Sequence, residues 1–160
     1  MTALAHRLVT GSDLPFIYGA WLDSWRLAHA AGTIPMDLYS SVYTETIRRL
    51  LLRPDCDVVV AHRPDEAPGA ADLYGFLCAE RTVRGPVVHY VYVREAQRRQ
   101  GIARGMFEAA AIDLAAPLVY THRTAVVLRL RGKMPRGRYD PLAARFASAW
   151  QEDRPEETGR

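Results

Sequence analysis

A chain of 160 residues, 49% apolar and 24% charged, can bury one ordinary core without metal or disulfide staples and is too apolar to be disordered. No apolar run approaches the roughly 20 residues that a membrane-crossing helix needs, and Met1–Gly11 lacks the basic-then-apolar layout of a secretory signal. A cytoplasmic protein with no membrane partner is therefore expected. The formal net charge of +3 is mild, yet six cations and no acid lie between Arg123 and Arg138. Such a stretch suits a polyanion, although a solvated basic face is the commoner outcome.

In chain order, His6–Thr10 reads as a first strand. Gly11–Pro15 starts a helix, with Ser12 able to cap it, Asp13 suiting the dipole and Pro15 fitting the first turn. Leu14, Ile17, Trp21 and Trp25 give that helix one apolar face, ending near Gly32. Pro35 opens a second helix carrying Leu38, Val42, Ile47, Leu50 and Leu51, which stops before Pro54. The period then changes to that of strands at Asp57–Ala61, Leu73–Thr82 and Val87–Val93, joined by loops too short for parallel crossovers, hence an antiparallel meander. A polar turn, a helix from Gly101 to about Ala116 and a strand at Leu118–Thr121 complete a crossover, which makes the last two strands parallel. Thr124–Leu130 fits a helix or a strand, Leu142–Trp150 fits a short helix, and residues 151–160 read as a charged tail after a single domain of residues 1–150. The fold class is α/β with a mixed sheet.

The two cysteines, Cys56 and Cys78, and the scattered histidines form no metal-ligand pattern, so no metal is expected. The informative stretch is His89-Tyr-Val-Tyr-Val-Arg-Glu-Ala-Gln-Arg-Arg-Gln-Gly-Ile-Ala103. A helix N-terminus carries unpaired N–H groups and partial positive charge. Gly101 and Ala103 let a phosphate approach them, and Arg98, Arg99 and Arg104 add charge, which points to pyrophosphate binding. There is neither a Walker loop nor a three-glycine dinucleotide fingerprint.

Arg98-Arg-Gln-Gly-Ile-Ala103, after an apolar strand and before a helix, resembles the Arg/Gln-x-x-Gly-x-Gly/Ala signature of the GNAT acyltransferase superfamily, and the element order from about residue 5 to 122 follows that superfamily. A weaker resemblance to a phage- or prophage-borne branch rests on Phe16-Ile-Tyr, Trp21-Leu-x-Ser24-x-Arg26, Ile34-Pro35, His89–Val93 and Thr121-His122; that branch supplies no substrate. The resemblance implies N-acetyl transfer from acetyl-CoA as co-substrate, with Val91, Tyr92 and Val93 along the pantetheine arm. It implies the pyrophosphate on Arg98, Arg99, Gln100, Gly101, Ile102, Ala103 and Arg104, and a slot where Leu118–Thr121 splays from Val87–Val93.

Where the superfamily often has a carboxylate, this chain has Gly85 and Val87. His89, Glu80 and His122 are the alternatives for moving a proton, and Tyr139 is the nearest match to the superfamily's acid. Trp21, Trp25 and Arg26 lie on a helix that borders the acceptor site in this superfamily. The acceptor is a small-molecule, peptide or protein amine. The alternative is a non-catalytic module binding CoA or a nucleic acid through residues 123–138, a stretch that in sequence lies apart from the CoA turn. Nothing in the sequence sets the oligomeric state, and a homodimer stays open.

Overall fold

The computed structural model describes residues 4–28, 33–64 and 73–143. Its strands are β1 (Ala5–Leu8), β2 (Cys56–His62), β3 (Leu73–Thr82), β4 (Gly85–Val93), β5 (Leu118–Tyr120) and β6 (Gly137–Tyr139). Its helices are α1 (Leu14–Ala28), α2 (Met36–Leu51), α3 (Ile102–Ala109) and α4 (Ala125–Leu130). The six strands lie side by side in chain order; β1 to β4 are antiparallel, while the β4–β5 and β5–β6 pairs are parallel. The expected meander and crossover are present, in a mixed α/β sheet.

Two cores flank the sheet. Val59, Leu77, Val88, Val91 and Val93 meet Ile102, Met106 and Phe107 of α3 and Val126 and Val127 of α4 on one face. Val58, Val60, Phe76, Cys78 and Tyr90 meet Ile17 and Trp21 of α1 and Ile47 and Leu50 of α2 on the other. Burying a side chain such as Ile17 or Phe76 contributes about 2–3 kcal/mol, so the alternation along β2 and β3 fixes which face each helix covers.

Several local expectations shift. Asp13 does not merely suit a dipole: it is buried, accepts Thr10 N–H at 2.7 Å and binds Arg7 at 2.6 and 2.9 Å. Ser12 is not the cap; its hydroxyl bonds Thr10 Oγ1 at 2.9 Å, and a short 3-10 turn at Gly11–Asp13 precedes α1. The inner face of α2 is Tyr39, Ile47 and Leu50, while Leu38 and Val42 are exposed, because the Tyr39 hydroxyl reaches the Leu22 carbonyl at 2.7 Å and turns the helix accordingly. Helix α3 stops at Ala109 instead of Ala116. Ala111 adopts φ 55°, and Asp113 Oδ1 accepts Ala115 N–H at 2.9 Å, a local turn that competes with further helix. Thr124–Leu130 resolves as helix, capped by Thr124 Oγ1 accepting Val127 N–H at 3.2 Å. The short helix expected at Leu142–Trp150 and the tail at 151–160 lie outside the described residues, apart from Leu142 and Ala143.

One irregularity shapes the middle of the sheet. Cys78 faces Tyr90 but Ala79 faces Val88, so His89 is an extra residue, a β-bulge. Val88 and Val91 consequently share the α3 side, and Tyr90 and Tyr92 share the α1 side.

Candidate functional site

The polar turn after β4 has the backbone conformation of an anion-binding turn. Arg99 and Gly101 both take the left-handed conformation, with φ 69° and 79°. Successive N–H groups in such a turn converge to form an anion nest, and the first amides of α3 have no partner within the helix. This turn lines a cavity of about 390 Å³ with Val93, Gln97, Arg98, Arg99, Gly101, Ile102, Ala103 and Arg104 on one side. The other wall is α4 and the turn after it, through Val126, Arg129, Leu130 and Lys133. The basic stretch thus does not lie apart from the turn: helix α4 brings two of its six cations onto it. Gln100 lines no part of this cavity, and its side chain bonds Gln97 at 3.1 Å.

Arg98 and Val126 also line a second, narrower cavity of about 220 Å³, with Ser24, Leu27, Tyr90, Val91, Tyr92, Thr124 and Ala125. This is the slot. Strand β5 pairs with β4 only at Val87 and Val88, and Thr121 adds bonds to the carbonyls of Val88 (3.0 Å) and His89 (3.1 Å). The β4 backbone from Tyr90 to Val93 therefore has no strand partner on the β5 side among the described residues. Ser24 Oγ and Tyr90 Oη are 2.8 Å apart at its edge, and burial pushes the Tyr90 phenol up, so it stays protonated.

A third space of about 750 Å³ opens beside the C-terminal ends of β5 and β6. Trp25, Val42, Tyr43, Thr46, Arg49, Leu50, Arg53, Thr121, His122, Tyr139 and Pro141 line it. His122 stands edge-on to Trp25 with ring centroids 4.4 Å apart, and to Tyr90 at 5.3 Å, so it sits between slot and chamber. The Thr121 hydroxyl donates to the His89 carbonyl and must accept from His122 Nδ1 at 2.7 Å. In the neutral ring Nδ1 then carries the hydrogen, and Nε2 is the nitrogen that can take a proton.

His89 and Glu80 form the wall behind. His89 Nε2 lies 2.8 Å from Glu80 Oε2, which also accepts from Arg53 at 2.8 Å. Burial alone would raise the Glu80 carboxyl, but the bonds from His89 and Arg53 outweigh it and hold it below its ordinary value. His89 is 0% exposed, and its Nδ1 is buried with no hydrogen-bond partner among the described residues. Of the residues expected to border the acceptor, Trp25 lines the chamber, and Trp21 is core, stacked on Tyr90 at 4.4 Å. Arg26 instead donates to the Ile34 carbonyl at 3.1 Å and lies over the Tyr39 ring. Tyr139 lines the chamber, with Arg123 4.1 Å above its ring. Arg49, Arg53 and Thr124 carry no sequence signal of their own; only the pairing of distant elements brings them to the site.

No family model matches the chain, and no curated protein matches it. Among solved structures, a candidate acetyl transferase of Pyrococcus furiosus superposes with a TM-score of 0.56 at 12% identity, covering 99% of each chain. The PaiA N-acetyltransferase of Thermoplasma acidophilum, in complex with coenzyme A, gives 0.53 at 14% identity over 82% of this chain and 87% of that one. A candidate GNAT family acetyltransferase of Staphylococcus aureus gives 0.50 at 15% identity over 66% and 86%. The likeness is one of fold. No helix among the described residues is long and apolar enough to cross a membrane.

Proposed function

We propose that the protein is an acyl-CoA-dependent N-acetyltransferase that moves an acetyl group from acetyl-CoA directly to an amine. The observation that carries this reading is the line of three cavities from an anion nest, through a slot along unpaired β4 backbone, to a chamber containing a histidine and a tyrosine. The nest suits a pyrophosphate, the slot suits the pantetheine arm, and β4 amides can polarise the thioester carbonyl. The Thermoplasma acidophilum neighbour, similar in fold, was solved in complex with coenzyme A, which supports a CoA-type ligand for this fold.

In this reading the amine nitrogen attacks the thioester carbon, the new C–N bond forms and the C–S bond breaks. His122 Nε2 takes the amine's proton, directly or through a held water, because His122 lines the chamber whereas His89 is sealed in the wall. The Tyr139 hydroxyl supplies a proton to the leaving thiolate. His89, Glu80 and Arg53 hold the bulge and the chamber floor. Positioning supplies much of the rate. The resemblance to a phage-borne branch adds no acceptor to this scheme.

The division of the basic stretch between separate surfaces favours a small-molecule or peptide acceptor over a nucleic acid. Calorimetry with acetyl-CoA, followed by thiol release on adding amines, tests the proposal. Absence of acetyl-CoA binding to the folded chain would sink it.

A further inference from the structure

The chamber's chemistry bears on what enters it. Its volume of about 750 Å³ is that of a small-molecule site, and Trp25, Tyr43 and Tyr139 give it aromatic walls. Its charged lining residues are Arg49 and Arg53; no aspartate or glutamate lines it among the described residues. The nearby carboxylates are already engaged. Glu80 is 4% exposed and spent on Arg53 and His89. Glu45 accepts from Arg48 Nε and Nη2 at 2.8 and 3.0 Å and from Arg49 Nε at 2.7 Å. Those bonds hold the Glu45 carboxyl down to about 2, so Glu45 is ionised at neutral pH and engaged by the two arginines.

Arg49 is anchored by its Nε alone, and its two terminal nitrogens have no partner among the described residues. A guanidinium fixed at Nε presents those terminal nitrogens as a planar pair of donors, the geometry that an oxyanion accepts bidentately. We propose that the acceptor carries a carboxylate or phosphate beside its amine, and that Arg49 binds that oxyanion. The inference rests on the acyl-transfer reading and names its substrate class: an anionic primary amine with an apolar or aromatic body. A polyamine is disfavoured, since each further ammonium would face guanidinium groups with no lining carboxylate to receive it.

The test uses the full chain, acetyl-CoA and matched amines: L-phenylalanine against phenethylamine, glucosamine 6-phosphate against glucosamine, and spermidine. Thiol release should favour the anionic member of a pair in kcat/KM, with spermidine slowest. Arg49→Gln should raise KM for that anionic amine roughly 10- to 100-fold, the effect of one charged hydrogen-bond pair, with kcat and acetyl-CoA affinity held. Arg49→Lys should recover part of the loss. Arg48→Gln removes the same charge from the same carboxylate without touching the chamber, and should leave KM unchanged.

Equal or better use of the amines lacking an oxyanion, or of spermidine, overturns the inference while acyl transfer stands. So does a loss in Arg48→Gln equal to that in Arg49→Gln, which would mean a diffuse field. If none of these amines is acetylated, CoA-loaded protein is titrated with N-acetyl-L-phenylalanine and N-acetylphenethylamine. Preference for the carboxylate, lost in Arg49→Gln, sustains the inference; no binding or no preference overturns it. Failure to bind acetyl-CoA overturns this inference together with the acyl-transfer reading.

Discussion

Glu80 accepts bonds at 2.8 Å from both His89 and Arg53 while almost wholly buried. Removing its charge weakens the charged hydrogen bonds that this buried carboxylate receives from Arg53 and His89, so Glu80→Gln should cost about 3 kcal/mol in urea unfolding at neutral pH. Because its folded carboxyl is held below the ordinary value, its contribution is present above the ordinary carboxylate range and fades as pH falls through the folded value. Asp13 obeys the same sign with a defined window. Bonds from Arg7, then from Thr10, lower it from 3.8 to about 2. Its stabilisation of about 2 kcal/mol should therefore be complete above about pH 5 and lost between about pH 4 and 2. Asp13→Asn should lose that acid limb in denaturation midpoints measured from pH 6 to 2; an unchanged limb would assign it elsewhere. For the chemistry, His122→Gln should lower kcat by about 100-fold or more while acetyl-CoA affinity stays within about twofold, the mark of a group acting on the reacting atoms. An equal loss of affinity would make His122 a packing residue of the slot.

At the level of elements, the turn before α3 offers a separation between backbone and charge. Gly101 sits at φ 79° with open space where a Cβ would stand. Gly101→Ala should cost only the left-handed penalty of about 1–2 kcal/mol and leave acetyl-CoA binding measurable. Gly101→Glu places a carboxylate where a phosphate belongs and should abolish binding in calorimetry on folded protein; unchanged affinity would remove the nest from the site. This turn was legible because glycine, alanine and arginine have few other reasons to stand together between a strand and a helix. The strands were legible for a similar reason, since alternation in β2 and β3 feeds two separate cores. The face of α2 was not: Leu38 and Val42 are more apolar than Tyr39 by type, but only Tyr39 finds the Leu22 carbonyl. Nor was the bulge at His89, because a simple period of two puts His89, Val91 and Val93 on one side and nothing in β4's composition marks the slip. The chamber depended on pairings between residues far apart in sequence, such as Arg53 with Glu80 and Trp25 with His122.

Across the whole molecule, the strongest sequence feature after the turn is the run of cations from Arg123 to Arg138, and the fold divides it by location. Helix α4 and the turn after it deliver Arg129 and Lys133 to the cavity beside Gly101. Arg136 and Arg138 line a separate notch of about 230 Å³ with Arg84, Gly85, Val87 and Leu118, at the opposite end of β5 from the chamber. Arg123 lies over Tyr139. Six positive charges acting together would steer any polyanion, but Arg129 and Lys133 line a different cavity from Arg136 and Arg138, and exposed charges are screened from one another beyond about 10 Å at ordinary ionic strength. Local contact should then decide. Charge reversal at Arg129 and Lys133 should weaken acetyl-CoA binding roughly 10- to 100-fold, since it replaces attraction to the phosphates with repulsion at the same wall. The same reversal at Arg136 and Arg138 should leave that affinity within about twofold at 150 mM salt. Binding to wild-type protein should also weaken with added salt, and less steeply once Arg129 and Lys133 are gone. If the two double reversals weaken acetyl-CoA equally, the run acts through net charge alone and α4 is no wall of the site. If instead the Arg136 and Arg138 pair abolishes a low-salt gel shift with duplex or single-stranded DNA while acetyl-CoA binding persists, the notch belongs to a nucleic-acid surface. The geometry favours a loss confined to the Arg129 and Lys133 reversal, because Arg129 and Lys133 share a cavity with Gly101 and Arg136 and Arg138 do not.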